Sequence, residues 1–335
     1  LGWYAENARD LPWRREVTPY RVWISEIMLQ QTRVEAVKGY FARFIGALPG
    51  PAELAAVDER ELLKLWEGLG YYSRARNLRK AARVIMETYG GELPASHEAL
   101  LTLPGVGPYT AGAVASIAFG LPEPAVDGNV LRVLSRLTAD NSDIADPAVK
   151  RAAERTVRGI IPAGRAGAFN QALMELGATV CIPNGAPRCD DCPIQLLCEG
   201  FHRGNAAVLP LRAAKKARRV ENRTVLVVRC GQLVGLRQRP KKGLLAGLWE
   251  LPSLDGHLSP DELRAALTEM GWSVRKLLSL RPAKHIFTHV EWHMNGVYVE
   301  LDAPAPALTF VTPAELRDAY ALPSAFRSFV SVLED

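Results

Sequence analysis

The chain has 335 residues, 48% of them hydrophobic and 23% charged, enough for two ordinary globular domains and unlike a disordered chain. No apolar run reaches the roughly 18 residues of a membrane span, and the opening "LGWYAENARDLPWRR" lacks the basic, apolar, small-residue order of a secretory signal; a cytoplasmic protein is expected, whether or not Leu1 is the native start. A formal charge of +5 and a pI near 9.0 lean toward a polyanionic partner, a weak signal shared by many basic proteins that bind nothing anionic.

From Leu1 to about Leu211 apolar residues recur at three and four. The stretches "PYRVWISEIMLQQTRVEAVKGYFARFI", "ERELLKLWEGLG", "RARNLRKAARVIMETYG" and "PAVKRAAERTVRGII", punctuated by Gly and Pro, predict an all-α domain over 1–211. The next segment, "RAAKKARRVENR" at 212–223, has many charges and almost no apolar periodicity, as a basic, solvated linker would. Beyond it, short β-branched runs ("TVLVVRC", "QLVGLRQ", "VEWHMNGVYVEL") alternate with two helical stretches ("SPDELRAALTEMG", "TPAELRDAY"), predicting an α+β domain over 224–335. The fold class is therefore multidomain, all-α followed by α+β.

Three places in the first half invite chemistry. In "SEIMLQQTRV", Glu26 sits among Ile24, Ile27, Met28 and Leu29, either as a glutamate on the polar side of its helix or as a buried carboxyl group. In "LPGVGPYTAGAVASIAFG", Gly105 and Gly107 flank a tight turn around Val106 ahead of an Ala-rich helix. That is an ordinary helix-helix turn, or a hairpin whose bare backbone N–H groups approach a phosphate. In "AVDGNVLRVLSR", Asp127 precedes a helix and reads first as its N-cap, a role that can coexist with catalysis.

Four of the five cysteines, Cys181, Cys189, Cys192 and Cys198, fall in "CIPNGAPRCDDCPIQLLC" with seven, two and five residues between them. Four thiolates this close can wrap one metal centre. A single short hook between Cys189 and Cys192 suits an iron-sulfur cluster at least as well as a structural zinc, and composition does not choose between them. Cys230, alone in the second half, reads as a core strand residue.

The combination of "SEIMLQQT", "EGLGYYSRARNL", "LPGVGPYTAG", "AVDGNV", "GAFNQALMELGA" and the four-cysteine loop closely resembles the MutY family of adenine DNA glycosylases, within the helix-hairpin-helix superfamily that includes endonuclease III. The resemblance runs through nearly the whole chain. It implies a monomeric DNA repair hydrolase, active beside the bacterial nucleoid, that flips adenine out of an adenine:8-oxoguanine mispair in double-stranded DNA and cleaves its N-glycosidic bond. Glu26 would be the general acid toward adenine N7 and Asp127 the ionised carboxylate beside the oxocarbenium-like sugar. Tyr109 would support that centre, and Asn129 would orient water or Asp127. Trp13, Arg14, Leu29 and Gln171 would line the adenine pocket. Gln30, Gln31, Thr32 and Tyr71 would enter the stack opposite it, and Gly105, Val106 and Gly107 would hold the DNA backbone. The four cysteines would carry one 4Fe-4S cluster, although the family's first spacing is six residues and seven stand here. Bifunctional relatives have a lysine where this chain has Tyr109, and no lysine occurs between Lys80 and Lys150, so base removal without efficient strand cleavage is expected.

"GLWELPSLDGHLSPDELRAALTEMG" resembles a Nudix box in which Ala265 and Thr268 replace two metal-binding glutamates and only Glu269 remains, implying a Nudix-like recognition domain without pyrophosphatase activity. The family's Phe-Ser-His loop for 8-oxoguanine corresponds to Phe287, Thr288 and His289, with threonine keeping the hydroxyl. Basic residues in "RAAKKARRVENR" and "RQRPKKG" would contact phosphates or simply be solvated. Two competing readings are weaker. An endonuclease III-like glycosylase-lyase for damaged pyrimidines does not account for Tyr109, and a non-catalytic damage-binding protein does not account for the retained Glu26 and Asp127.

Overall fold

The computed structural model describes residues 1–183, 185–213 and 217–333. The chain forms two compact units, one from 1–57 with 77–214 and the other from 58–76 with 215–335.

The first unit is helical. At its centre is Pro19–Leu29, started by Pro19 and by Thr18, whose side chain accepts from the Arg21 N–H at 3.2 Å. Seven consecutive buried residues, Val22 to Met28, together with buried Tyr20, leave this helix almost no solvent face, so it is a core helix rather than an amphipathic one. The periodic stretch that begins with it is broken at 30–33, where Gln31 takes φ 58°, and resumes as Val34–Ala47.

Two further helices pack close because their sequences are small where backbones meet. In Pro108–Phe119, a Cβ on Gly112 would lie 1.9 Å from the Pro124 carbonyl oxygen. In Ala166–Thr179, Gly167 meets the Ser116 carbonyl and Gly177 meets Asn129 at comparably forbidden distances. Buried Asn170 ties these elements together: its amide donates to Ser116 Oγ and the Glu123 carbonyl, both at 2.8 Å, and its oxygen accepts from Ala125 N at 3.1 Å. The loop ahead of Asp127 is thereby held on both sides.

The turn before Pro108 uses its two glycines differently. Gly105 has φ 79°, and a Cβ there would lie 2.7 Å from Asn77 Cβ; Gly107 has φ −99° and open space around it.

Among its described residues the second unit is built on eight strands: β1 (Arg219–Cys230), β2 (Leu233–Gln238), β3 (Trp249–Glu250), β4 (Ser253–Asp255), β5 (Val274–Ser279), β6 (Ala283–Ile286), β7 (Val290–Leu301) and β8 (Thr309–Val311). The main order is β3-β2-β1-β7-β5, with β1 and β7 parallel from Arg219 opposite Val290 to Arg229 opposite Glu300; β4, β6 and β8 pair β1, β7 and β2. Alternate residues of β1 point to opposite faces. Val225 and Val227 pack with Leu316, Phe326 and Phe329, while Leu226 and Val228 pack with Leu263 and Leu267 of the Pro260–Glu269 helix. Cys230, half-buried, ends β1 against this second cluster.

Two features depart from the sequence reading. Arg219–Arg223, expected in the solvated linker, form the start of β1; Arg223 lies 4.5 Å over the Trp292 ring and pairs with Glu221, so charge there marks the sheet's wet end rather than a loop. The linker residues 214–216 lie outside the described residues. Residues 58–76, helical in periodicity, group with the strands: Glu67 accepts from Leu322 N at 2.7 Å, and Lys64 donates to the Tyr320 carbonyl at 3.3 Å.

Candidate active site

A cavity of about 650 Å³ opens inside the helical unit, walled by Trp13, Arg14, Glu26, Leu29, Gln30, Gln31, Thr32, Tyr109, Asp127, Asn129 and Gln171 together with residues the sequence reading did not single out. All residues assigned from the sequence to acid-base chemistry and to the adenine pocket meet here.

Glu26 is only 6% exposed, which removes the surface-glutamate reading. Burial pushes its carboxyl up to about 7, with the nearby Asp127 charge adding to the rise, against opposing pulls from the Tyr109 hydroxyl and the Arg14 charge. Tyr109 Oη donates to Glu26 Oε2 at 2.5 Å, and its own ionisation is held well above the ordinary phenol range by burial and by the two carboxylates, so it remains a donor. The hydroxyl thus bonds to the Glu26 carboxyl group directly, rather than to Asp127.

Asp127 is the N-cap read from the sequence and also lines the cavity. Its Oδ1 caps the Gly128–Leu137 helix by accepting from Val130 N at 2.8 Å, while Oδ2 accepts from Asn129 Nδ2 at 2.7 Å. Burial pushes its carboxyl up, and these N–H donors and the Arg132 charge oppose the rise. Arg132 Nη2 in turn donates to Asn129 Oδ1 at 2.9 Å, fixing the amide's orientation.

Trp13 is both core and wall: it is buried edge-on to Phe41, with ring centroids 5.5 Å apart. Gln30 Nε2 donates to Thr110 Oγ1 at 3.3 Å, and Gln31 stands at the break after the Glu26 helix. Sequence reasoning missed Arg9, Lys150, Met174 and Glu175, which also line the cavity. Glu175 was reachable, since it follows Gln171 by four residues and so shares its helix face.

In the second unit, Tyr71 has φ 47° and is 46% exposed, and its hydroxyl lies 2.7 Å from Thr288 Oγ1. Phe287 is edge-on to His285 and Trp292, at 4.6 and 4.9 Å. Positions 265, 268 and 269 lie on or just within the end of the Pro260–Glu269 helix; among the described residues no group of three or more His, Cys, Asp or Glu is disposed around a single metal ion.

Cys181, Cys189, Cys192 and Cys198 line one recess of the helical unit with Arg136. Arg136 Nη1 lies 3.2 Å from Cys181 Sγ, and Cys198 Sγ lies 3.4 Å from the Arg136 carbonyl. Burial and the other thiolates push Cys189 and Cys192 up, so ionising the set together calls for a cation between them. Four cysteines around one recess with a buried guanidinium beside them are a donor set that fits a thiolate-held metal centre.

Residues 24–158 match the HhH-GPD superfamily of base excision DNA repair proteins, and residues 224–332 match the NUDIX domain family. Over 399 residues the chain is 36% identical to the adenine DNA glycosylase of Rattus norvegicus, covering all of this chain and 77% of the rat protein. A solved thermostable thymine-DNA glycosylase matches at TM-score 0.55 and 31% identity, over 60% of this chain and 93% of that one. A non-covalent endonuclease III-DNA complex matches at TM-score 0.52 and 28% identity, over 61% and 92%. Helical fold, cavity and C-terminal sheet together define a base excision repair protein of the HhH-GPD class carrying a NUDIX-type domain. Within that class, the chain belongs to the adenine DNA glycosylase family.

Proposed function

We propose that this chain is a monofunctional DNA glycosylase that removes adenine opposite 8-oxoguanine or guanine from double-stranded DNA. The observation that carries the reading is the convergence of Glu26, Tyr109, Asp127 and Asn129 on one cavity large enough for a purine. An adenine flipped into it meets a carboxyl group that is substantially protonated near neutral pH, and Glu26 gives its proton to N7 as the base leaves. Asp127, held by two N–H groups, faces the positive charge developing on the sugar, and Asn129 keeps its second oxygen in place. Trp13, Arg14, Leu29 and Gln171 surround the base.

Gln30, Gln31 and Thr32 act on the opposite strand, as do Tyr71, Phe287, Thr288 and His289, with Thr288 meeting 8-oxoguanine. The turn Gly105-Val106-Gly107 holds the DNA backbone. Residues 1–57 with 77–214 serve as the catalytic domain and residues 58–76 with 215–335 as the recognition domain of a monomer. Among the described residues no helix is long and apolar enough to cross a membrane. Cys181, Cys189, Cys192 and Cys198 hold one 4Fe-4S cluster, which when bound ties the loop covalently to the helix before it and takes no part in the steps above.

The test is a single-turnover assay on duplexes with adenine opposite 8-oxoguanine, guanine or thymine, with and without alkali, for the wild type and Asp127→Asn. Strand breaks only after alkali, fastest opposite 8-oxoguanine and lost in the variant, are expected. No adenine release from any duplex would overturn the reading.

A further inference from the structure

Glu175 is buried completely, at 0% side-chain exposure, yet it is ionised and sits in the wall of the cavity. Its carboxylate accepts four N–H groups. Oε1 takes Arg9 N at 3.1 Å and Arg9 Nε at 2.6 Å; Oε2 takes Arg9 Nη2 at 3.1 Å and Arg14 Nη2 at 2.8 Å. Burial alone would raise this carboxyl, and the two guanidinium groups outweigh it, leaving it below its ordinary range. Arg14 is held further by the Arg9 carbonyl at 3.2 Å and lies 5.6 Å over the Tyr4 ring. Buried ion pairs contribute little net stability over apolar packing, so a completely buried carboxylate held by two partly exposed arginines, 35% and 17% for Arg9 and Arg14, in the wall of the candidate cavity calls for a reason beyond stability.

The reason lies across the cavity. The charged or titratable groups facing Glu26 are Tyr109 from the Pro108–Phe119 helix, Asp127 at the head of Gly128–Leu137, and Arg14 from Pro12–Arg15. The same walls carry Arg9, Lys150 from Pro147–Ile160, and Glu175 from Ala166–Thr179, while Val34–Ala47 contributes only Val34. A bare guanidinium in that wall would draw the proton off Glu26, the group that must keep it.

Resting on the glycosylase reading above, we propose that Glu175 is a positioning residue of the base pocket: it locks the Arg14 guanidinium in the wall as a fixed donor for the flipped base and offsets part of its charge toward Glu26. The two functions separate experimentally. Losing the lock lowers the rate, whereas losing the offset moves the pH at which Glu26 gives up its proton.

Single-turnover rates on an adenine:8-oxoguanine duplex are measured from pH 5 to 9 for the wild type, Glu26→Gln, Glu175→Gln, Glu175→Asp and Arg14→Gln, with thermal melts of each. Adenine release by the wild type, abolished in Glu26→Gln, establishes the parent reading; its absence overturns that reading and this one with it. Given release, Glu175→Gln is expected to lower the plateau rate about tenfold or more and to move the alkaline limb down by about half a pH unit or more. Arg14→Gln moves the same limb up, and Glu175→Asp restores its position in part. If Glu175→Gln does not fold, Glu175→Asp carries the test, with a smaller downward shift of the limb and a smaller loss of rate relative to the wild type expected. An alkaline limb unmoved in every folded variant, with rate losses that only follow the loss of melting temperature, overturns the inference and leaves Glu175 a structural ion pair.

Discussion

The Tyr109 hydroxyl donates to Glu26 Oε2 at 2.5 Å, so the phenol that stands at the turn of the glycine hairpin is bonded to the carboxyl group of the central helix, 83 residues away in the chain. Tyr109→Phe removes that donor. Because the bond favours the ionised carboxylate, its loss lets burial raise Glu26 further. The alkaline limb of the pH-rate profile should therefore move up, with the rate falling roughly tenfold for want of an aligned acid. A limb that moves down would contradict this sign.

Glu26 also links folding to pH. Its carboxyl is raised in the folded chain, to about 7 from 4.5, so its contribution to stability is fully present below about 4.5 and is lost as the pH climbs through about 7. Glu26→Gln should abolish base release while making the protein more stable than the wild type at pH 8, by as much as ~3 kcal/mol, with the difference closing toward pH 4.5. Chemical denaturation at the two pH values measures it.

Strand cleavage without alkali should be slow, because a phenol cannot form a Schiff base with the opened sugar. Lys150 is the lysine among the cavity's lining residues. Any residual adduct trapped by borohydride should accordingly disappear in Lys150→Gln, read on a denaturing gel.

Tyr71 and Thr288 share a 2.7 Å hydroxyl contact. Thr288→Ser keeps the hydroxyl and should preserve the preference for 8-oxoguanine over guanine opposite adenine. Thr288→Val removes it at nearly constant shape and should reduce that preference severalfold, about the worth of one hydrogen bond. Comparing single-turnover rates on the two duplexes distinguishes these outcomes.

The iron content of the purified protein tests the cysteine recess. Wild type should contain about four iron atoms per chain. Cys192→Ser should lose them and melt lower, and a colourless wild type holding zinc instead would contradict the cluster.

Much of the candidate site was legible in the sequence through a family resemblance carried by short motifs: the Asp127 cap, the two glycines of the hairpin and the helix holding Glu26, each of which by itself left a structural and a chemical role open. What escaped depended on tertiary contacts. Nothing local distinguishes Arg9 from a surface charge until the Ala166–Thr179 helix is laid against Pro12–Arg15, and only its place one turn after Gln171 marks Glu175. The segment 58–76 has the period of a helix wherever it packs, and only the Glu67 and Lys64 bonds to Leu322 and Tyr320 show its allegiance. In the second half the long strands β1 and β7 and both longer helices stood out, but β3, β4, β6 and β8, at two to four residues each, are too short to carry an alternating pattern. Arg219–Arg223 misled because charge was read as solvation, whereas a strand can extend past its core with its side chains paired.

The hairpin glycines also divide necessity from opportunity. At Gly105 a methyl group would strike Asn77, and the backbone is left-handed, so the fold itself forbids another residue. At Gly107 nothing within the protein objects to one. Gly107→Ala should therefore fold at a cost of about 1 kcal/mol, that of a poorer helix start, and a larger loss of duplex affinity than of stability is the expected outcome of the proposed backbone contact. Of the two, Gly107 is the one that the fold leaves free to be chosen for some other purpose.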